Sequence, residues 1–308
     1  MIAPDWIGGI SVLLYVLGLS YGAVEDLLTA LGVPLAKVTV YENVQAASLA
    51  ARERHQAELV GGGPRLVIGS DGTYLKVKGE QIGVQVVVDD GDSDLLGLEI
   101  IVSENTEEVE GVVREAASRV GAQVLVSDDL DTYKRVADTL GLEHQVCRSH
   151  VKRNVDELAE ELREQLQQGE LPPEGSGLTP EGLLRDLGQL QYLVRARPKD
   201  GAAQLGRLYE GYKQVLLPKQ GERHSVWQRM RQLITRLWDR WPRLTLDQRR
   251  SDLDGTNNSS ERLIGWWIKE RYRTMRGYKR QESVRNVVTL TARMGARSGA
   301  YDMSELYA

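Results

Sequence analysis

The feature that most narrows the fold is a block of β-forming sequence that opens after Gly61-Gly62-Gly63-Pro64. Such a run ends any helix before it, because glycine is conformationally free and proline lacks the amide hydrogen. Beyond it, Arg65 to Val77 is rich in β-formers, and Lys78-Gly79-Glu80 is a turn. Gln81 to Val88 alternates, with Ile82, Val84, Val86 and Val88 on one face. Gly91 to Ser93 turns the chain again, into a third strand from Leu96 to Val102. Three strands joined by short turns predict an antiparallel meander. A helix follows, capped by Asn105 with Glu108 in the capping-box position. Its apolar face is Val109, Val112, Val113, Ala116, Ala117 and Val120. Ala122 to Ser127 is a short buried strand, Leu130 to Leu140 a helix stopped by Gly141, and Glu143 to Cys147 a fifth strand. The order β-β-β-α-β-α-β predicts an α/β domain.

The flanks are helical. Ser20 caps a helix with Val24, Leu27, Leu28 and Leu31 at helical spacing, and Gly32 and Pro34 break it. A second helix runs from about Ala36 into Ala51. This is the outline of a helix-turn-helix, with Lys37, Thr39, Tyr41, Asn43 and Gln45 as readers, and equally of a plain packing hairpin. The apolar stretch Trp6 to Leu19 is too short to span a bilayer and has no basic segment before it, so it is expected as a buried helix with no membrane role. Residues 151–250 read as helices around a loop from Gln168 to Pro180, with amphipathic stretches at Leu205 to Leu217 and Val226 to Trp241. A last helical region runs from near Asn258 to about Met294, interrupted at Gly277. The expected divisions are residues 1–60, 64–150, 151–250 and 251–308.

One cysteine, Cys147, excludes an internal disulfide, and four histidines with it could scarcely build a closed structural zinc site. A reducing, cytoplasmic setting is expected. The net charge of −5 conceals an asymmetry. Residues 223–297 hold 18 Lys/Arg against 7 Asp/Glu, a local balance of +11 that leaves −16 elsewhere. A basic segment of this kind suits phosphate contacts, and also suits a solvated helical surface.

Three acidic residues stand at telling places. Asp71 lies in the first strand, Asp128 just past the fourth, and Glu261 at a helix start. In a sheet ordered 3-2-1-4 the first two face one another, and carboxylates that close repel unless a hard cation sits between them. Paired Mg²⁺ ions held this way suit in-line displacement at phosphodiesters. Each acid also has a plainer reading. Asp71 suits a turn before Gly72, Asp128 or Asp129 suits a cap for the next helix, and Glu261 suits the N3 position of a capping box with Asn258. Asp131 is a helix-start charge.

With their flanks, these segments resemble bacterial insertion-sequence and mutator-type DDE transposases with an RNase H-like core. Asp71-Gly72-Thr73 matches the first acidic motif, and Ser127-Asp128-Asp129 the second, which favours Asp128. The segment from His144 to Asn154, with Cys147 and His150, matches the Cys-x-x-His stretch that follows. Thr256-Asn257-Asn258-Ser259-Ser260-Glu261-Arg262, with Lys269, Arg271, Arg273, Gly277 and Tyr278, matches the third. The resemblance covers roughly residues 64–295. It is loose over residues 1–60, where many relatives carry a longer region, often with a zinc-binding module.

The resemblance implies an RNase H-like mixed five-stranded sheet, order 3-2-1-4-5, with an N-terminal helical domain and an all-α insertion that accounts for the gap between Asp128 and Glu261. In such relatives the insertion helps organise DNA and houses a base-stabilising tryptophan. Trp227, Trp238 and Trp241 are candidates by location, although tryptophans so spaced are more often core. The implied activity is cleavage at transposon ends and strand transfer into target DNA. Asp71, Asp128 and Glu261 would hold two Mg²⁺ ions, with Mn²⁺ able to substitute, and His150 would assist. Arg262, Lys269, Arg271, Arg273, Arg276, Lys279 and Arg280 would contact double-stranded DNA, on which the protein works as a homodimer or larger assembly. The rivals are a nuclease on the same core that cuts without joining, and an inactive transposase-derived DNA-binding protein.

Overall fold

A computed structural model describes residues 5–61, 63–218, 221, 223–274 and 278–296. Three helices come first: α1 (Asp5–Val16), α2 (Tyr21–Ala30) and α3 (Lys37–Gly61). Ser20 caps α2, its hydroxyl accepting from the Ala23 amide at 3.2 Å. Helix α3 runs a further ten residues past Ala51, up to the glycine run, because nothing in Arg52 to Val60 breaks a helix.

The meander follows as β1 (Val67–Val77), β2 (Glu80–Asp89) and β3 (Leu95–Ile101), then α4 (Thr106–Val120), β4 (Val124–Ser127), α5 (Asp131–Leu140) and β5 (Glu143–Val146). The sheet order is β3-β2-β1-β4-β5. Strands β1, β2 and β3 pair antiparallel, while β1 and β4 pair parallel, so the sheet is mixed as expected of an RNase H-like core. Asn105 caps α4 and Gly141 ends α5 in the left-handed conformation, φ 69°. The capping box at α4 is only half formed. Asn105 Oδ1 accepts from the Glu108 amide, but the Glu108 carboxylate accepts from the Val102 amide at 2.6 Å and from the Asn105 side chain at 3.2 Å, not from the Asn105 backbone amide.

Both faces of the sheet are covered. Val84, Val86 and Val88 of β2 share one core with Val12 and Tyr15 of α1, Val44 and Ala51 of α3, and a last helix, α12 (Gln281–Ala296). Val87 points to the opposite core, with Ile68 of β1, the apolar face of α4, and Tyr133 and Val136 of α5. Burial on both faces is the usual condition of a sheet with parallel pairing. Within α1–α3 two of the candidate DNA readers serve packing. The Tyr41 ring stands edge-on to Tyr21, and Asn43 Nδ2 donates to Ser11 Oγ at 3.0 Å. No described helix is long and apolar enough to cross a membrane.

Residues 144–256 form a second compact unit, whereas residues 1–143 and 257–308 form the first. The second holds α6 (Arg148–Gln167), α7 (Pro180–Ala196), α8 (Gly201–Tyr212) and α9 (Val226–Leu244) around one core. Ser225 and Gln228 cap α9 reciprocally. Gly201 is required where α8 meets α9, because a Cβ there would overlap the Trp241 ring. Returning to the first unit, the chain forms α10 (Asn258–Arg262), a π-helical stretch Leu263–Glu270, and α11 (Arg271–Thr274).

His55, on α3, is held neutral. Burial first, then the Arg293 guanidinium, lowers its pKa to about 4 from the ordinary value near 6.5. The unfolded chain therefore binds a proton that the folded one refuses, between those two values. Stability should be complete above about pH 6.5 and decline as pH falls towards 4. Urea midpoints measured across this range should show the decline in wild type and a flatter profile in His55→Asn.

Candidate active site

The parallel pairing of β1 and β4 runs Val67 with Val124, Ile68 with Leu125, and Gly69 with Val126. Two residues further along both strands, Asp71 and Asp128 come level. Adjacent strands lie about 4.8 Å apart, and β4 has ended at Ser127. Asp128 thus sits at the mouth of a gap whose other wall is Asp71. Asp71 Oδ1 accepts from the Gly72 amide at 2.8 Å, and Asp128 Oδ1 from the Leu130 amide at 3.2 Å. Neither Asp128 nor Asp129 is the N-cap of α5. That position is Leu130, which offers no side-chain bond.

Beneath the gap lies the buried Tyr133. Its hydroxyl accepts from Gln85 Nε2 at 3.0 Å, and the same amide donates to Ser70 Oγ and to the Asp71 carbonyl. Burial, then Asp71 and Asp128, and to a lesser degree Glu104, raise the Tyr133 pKa well above normal. One buried phenol therefore feels three carboxylates, Asp71, Asp128 and Glu104.

The third, Glu104, was not picked out from the sequence. It stands between β3 and α4, and its carboxylate occupies the space a side chain at residue 72 would need: a Cβ on Gly72 would overlap Glu104 Oε1. Thr132 Oγ1 donates to its carbonyl at 3.1 Å. Burial, followed by Asp128, raises its pKa. The available signal was Gly72 itself, since a glycine inside a continuing strand marks a close approach.

Glu261 is placed by the residues before it. Asn257, fully buried, donates from Nδ2 to the Ser70 carbonyl at 3.1 Å, one residue short of Asp71. Ser260 Oγ donates to Asn257 Oδ1 at 2.9 Å, and Ser259 Oγ to the Asp90 carbonyl at 2.7 Å. Gly69 makes room, because a Cβ there would come 2.6 Å from Ser260 Oγ. The first turn of α10 is thereby stitched to β1 at the residue before Asp71. The expected capping box of Asn258 with Glu261 is not formed. The N-cap is Asn257, and its amide is spent on the sheet.

The remaining expected residues divide. Cys147 is the buried N-cap of α6 and His150 is half-buried in its first turn, both in the second unit. Arg262, Lys269, Arg273, Lys279 and Arg280 are exposed. Arg271 is not available to DNA. It is 3% exposed, lies 3.7 Å over the Tyr15 ring, and donates to the Leu19 carbonyl at 3.2 Å. Arg276 lies outside the described residues. The Lys78 amide donates to the Tyr278 carbonyl at 3.0 Å, which sets Lys279 and Arg280 at the far end of β1. At about 3.3 Å per residue, that is roughly 20 Å from Asp71. Of the candidate tryptophans, Trp227 and Trp241 are core residues, and Trp238 is half-exposed with its ring 5.6 Å from Tyr209.

The carboxylates at this end of the sheet supply only hard oxygen donors, the set a magnesium-type cation takes.

The family model described as Transposase IS66 family matches residues 1–275. No curated protein matches the chain. Among solved structures, the HTLV-2 integrase catalytic core domain in complex with magnesium is similar in two forms. The trimeric form is 14% identical, covering 42% of this chain and 84% of that one, with a TM-score of 0.25. The dimeric form is also 14% identical, covering 42% and 85%, with a TM-score of 0.24. Scores this low add nothing to the strand order.

Removing the Asn257 side chain strips the buried Ser70 carbonyl and the Ser260 hydroxyl of their partner. Asn257→Ala should cost about 1–3 kcal/mol in urea unfolding. Ser260→Ala should cost less, and the double variant should fall short of the sum because the two share one bond.

Proposed function

The chain belongs to the IS66 family of transposases, and from that premise we propose that it cuts DNA at transposon ends and joins the freed 3′-OH to target DNA, with Asp71, Asp128 and Glu261 as the metal-holding carboxylates. The observation that carries this reading is the pair of constraints at β1: the register that brings Asp71 level with Asp128, and the Asn257 bond to Ser70 that ties the glutamate's helix to the same strand. Two Mg²⁺ ions, with Mn²⁺ able to substitute, would supply Lewis-acid stabilisation of the attacking and leaving oxygens.

The chain's own groups prepare that centre. The Gln85 amide fixes the β1 backbone at Asp71 from below. Tyr133 stays protonated in the field of the acids and so adds no further negative charge. Glu104 holds its proton to a higher pH than a free glutamate, which eases repulsion with Asp128.

The DNA side is read from the exposed cations. Arg262, Lys269 and Arg273 follow Glu261 on its own helical run, and Lys279 with Arg280 lies at the far end of β1. Phosphates along a strand advance about 3.4 Å per step, so the two groups would grip a duplex several base pairs apart. Such contacts position DNA without reading its sequence. A transposon has two ends to bring together, and we take a homodimer or larger assembly on DNA as the working unit.

The test is magnesium-dependent joining of labelled transposon-end DNA to a plasmid. Asp71→Asn, Asp128→Asn and Glu261→Gln should each lower joining by at least about a thousandfold while still binding DNA, and Asp129→Asn should not. Cut but unjoined ends from wild type would favour a nuclease. Unchanged products from Asp71→Asn would end the assignment.

A further inference from the structure

We propose that the cavity at the β1–β2 turn, lined by Lys78, Lys279 and Arg280, is a phosphate-binding site that holds the backbone of a DNA duplex reaching it from the acidic centre. The inference rests on reading Asp71, Asp128 and Glu261 as the DNA-cutting site, and it adds to that reading a built anion site in which Lys78 takes part.

The turn itself carries the first sign. Val77 pairs with Glu80, which leaves Lys78 and Gly79 as a two-residue hairpin loop. Their φ angles are 53° and 91°. Positive values at both positions make a type I′ turn, whose first position favours asparagine, aspartate or glycine. Lysine gains nothing locally from that conformation, because it lacks the short polar side chain with which asparagine bonds back to the turn. A strained backbone kept at such a position points to a task for the side chain it carries.

The surroundings of Lys78 identify the task. The cavity has a volume of about 260 Å³, and the buried Val77 and Ile82 line it with apolar surface. Lys78, Lys279 and Arg280 line it as well, with Glu80 as the one acid among the described residues. All four of these charged residues are exposed. The three cations form no ion pair among the described residues, whereas Arg273 pairs with Glu270 and Arg285 with Glu99. Cations gathered at one cavity repel each other until an anion lies between them. Phosphate suits the set, since arginine offers it a planar fork of donors and lysine a point charge.

The backbone fixes this grouping. Lys279 and Arg280 follow Tyr278, which is 3% exposed and whose carbonyl accepts from the Lys78 amide at 3.0 Å. Val77 and Tyr278 also pair in a parallel bridge, so two distant segments of the chain are held side by side. Position selects DNA as the source of the phosphate. The cavity stands at the opposite end of β1 from Asp71, roughly 20 Å away at about 3.3 Å per residue. A duplex advances about 3.4 Å per base pair, so the cavity meets a phosphate about six steps from the one being cut.

The experiment uses the full chain with labelled transposon-end duplex, and Ca²⁺ in place of Mg²⁺ to prevent cutting. Lys78→Asn removes the charge and gives the turn a residue it favours. Its urea midpoint should equal or exceed that of wild type, so weaker binding cannot be laid to unfolding. The slope of log affinity against log salt should flatten by about 1, and by more in Lys78→Asn/Lys279→Gln/Arg280→Gln. Lys78→Arg, which keeps the charge, should hold the wild-type slope. Ethylation of phosphates about six steps from the scissile one should impair binding by wild type and make no difference to the triple variant. An unaltered slope in the triple variant overturns the proposal. So does loss of thermal stabilisation by inorganic phosphate in that variant with DNA binding intact, since the cavity would then hold a free anion. The joining assay separates this inference from the reading beneath it. Normal joining by wild type with an unaltered slope in the triple variant sinks only the phosphate site, whereas a Lys78-dependent slope in a protein that never joins DNA sinks the assignment of the acidic centre.

Discussion

The bond from Asn257 Nδ2 to the Ser70 carbonyl joins residues 187 positions apart. Two of the three acids need no such device. Asp71 and Asp128 arrive together because parallel strands pair residue by residue, and the apolar cores on both sides of the sheet enforce that register. Glu261 comes from a helix, and a helix start has no register with a sheet. It must be tied by polar groups, and those groups must be buried to hold. Asn257, Ser259 and Ser260 supply the tie, and the bare backbone of Gly69 admits it. An apolar residue at 257 would leave a carbonyl unsatisfied inside the protein, so burial and positioning are secured by the same amide.

The parts of the fold legible in the sequence are those governed by local period and local punctuation. The face of α4 could be read residue for residue, because Val109 to Val120 repeats at helical spacing between an asparagine cap and a left-handed glycine. The antiparallel meander followed from three hairpin-linked strands, whereas the full strand order came with the family resemblance. What local pattern cannot carry is the use a polar side chain finds far along the chain. Asn258 and Glu261 have capping-box spacing, yet the cap fell to Asn257, whose side chain had a sheet carbonyl to satisfy. Glu108 bonds the amides just past β3 and the side chain of its N-cap, where a capping box would use the N-cap's backbone amide. Glu104 escaped notice because no spacing links it to Gly72.

Arg271 is a different kind of miss, since its place could have been worked out. Residues two apart on a helix do not share a side, so Arg271 cannot stand with Lys269 and Arg273. It points inward, where a guanidinium survives burial by lying on an aromatic face and donating to a backbone carbonyl. A basic run therefore overstates its own positive surface. The residues that remain exposed alternate with those that anchor the helix, and the same alternation leaves Trp266 outside and Trp267 inside.

That inward arginine also bears on what the first sixty residues do. Its aromatic partner Tyr15 is on α1 and its carbonyl acceptor is Leu19, so the helical run that carries Glu261 leans on the N-terminal helices. Tyr15 itself stacks on Tyr21 at 4.5 Å, and Tyr21 meets Tyr41 edge-on. A chain of three tyrosines thus connects α3 to the buried guanidinium. Tyr41 and Asn43 looked like base readers on a recognition helix because both are polar-tipped and regularly spaced. Inside the fold they brace α3 against α1 and α2. Through this arginine the N-terminal helices brace the helical run that carries Glu261.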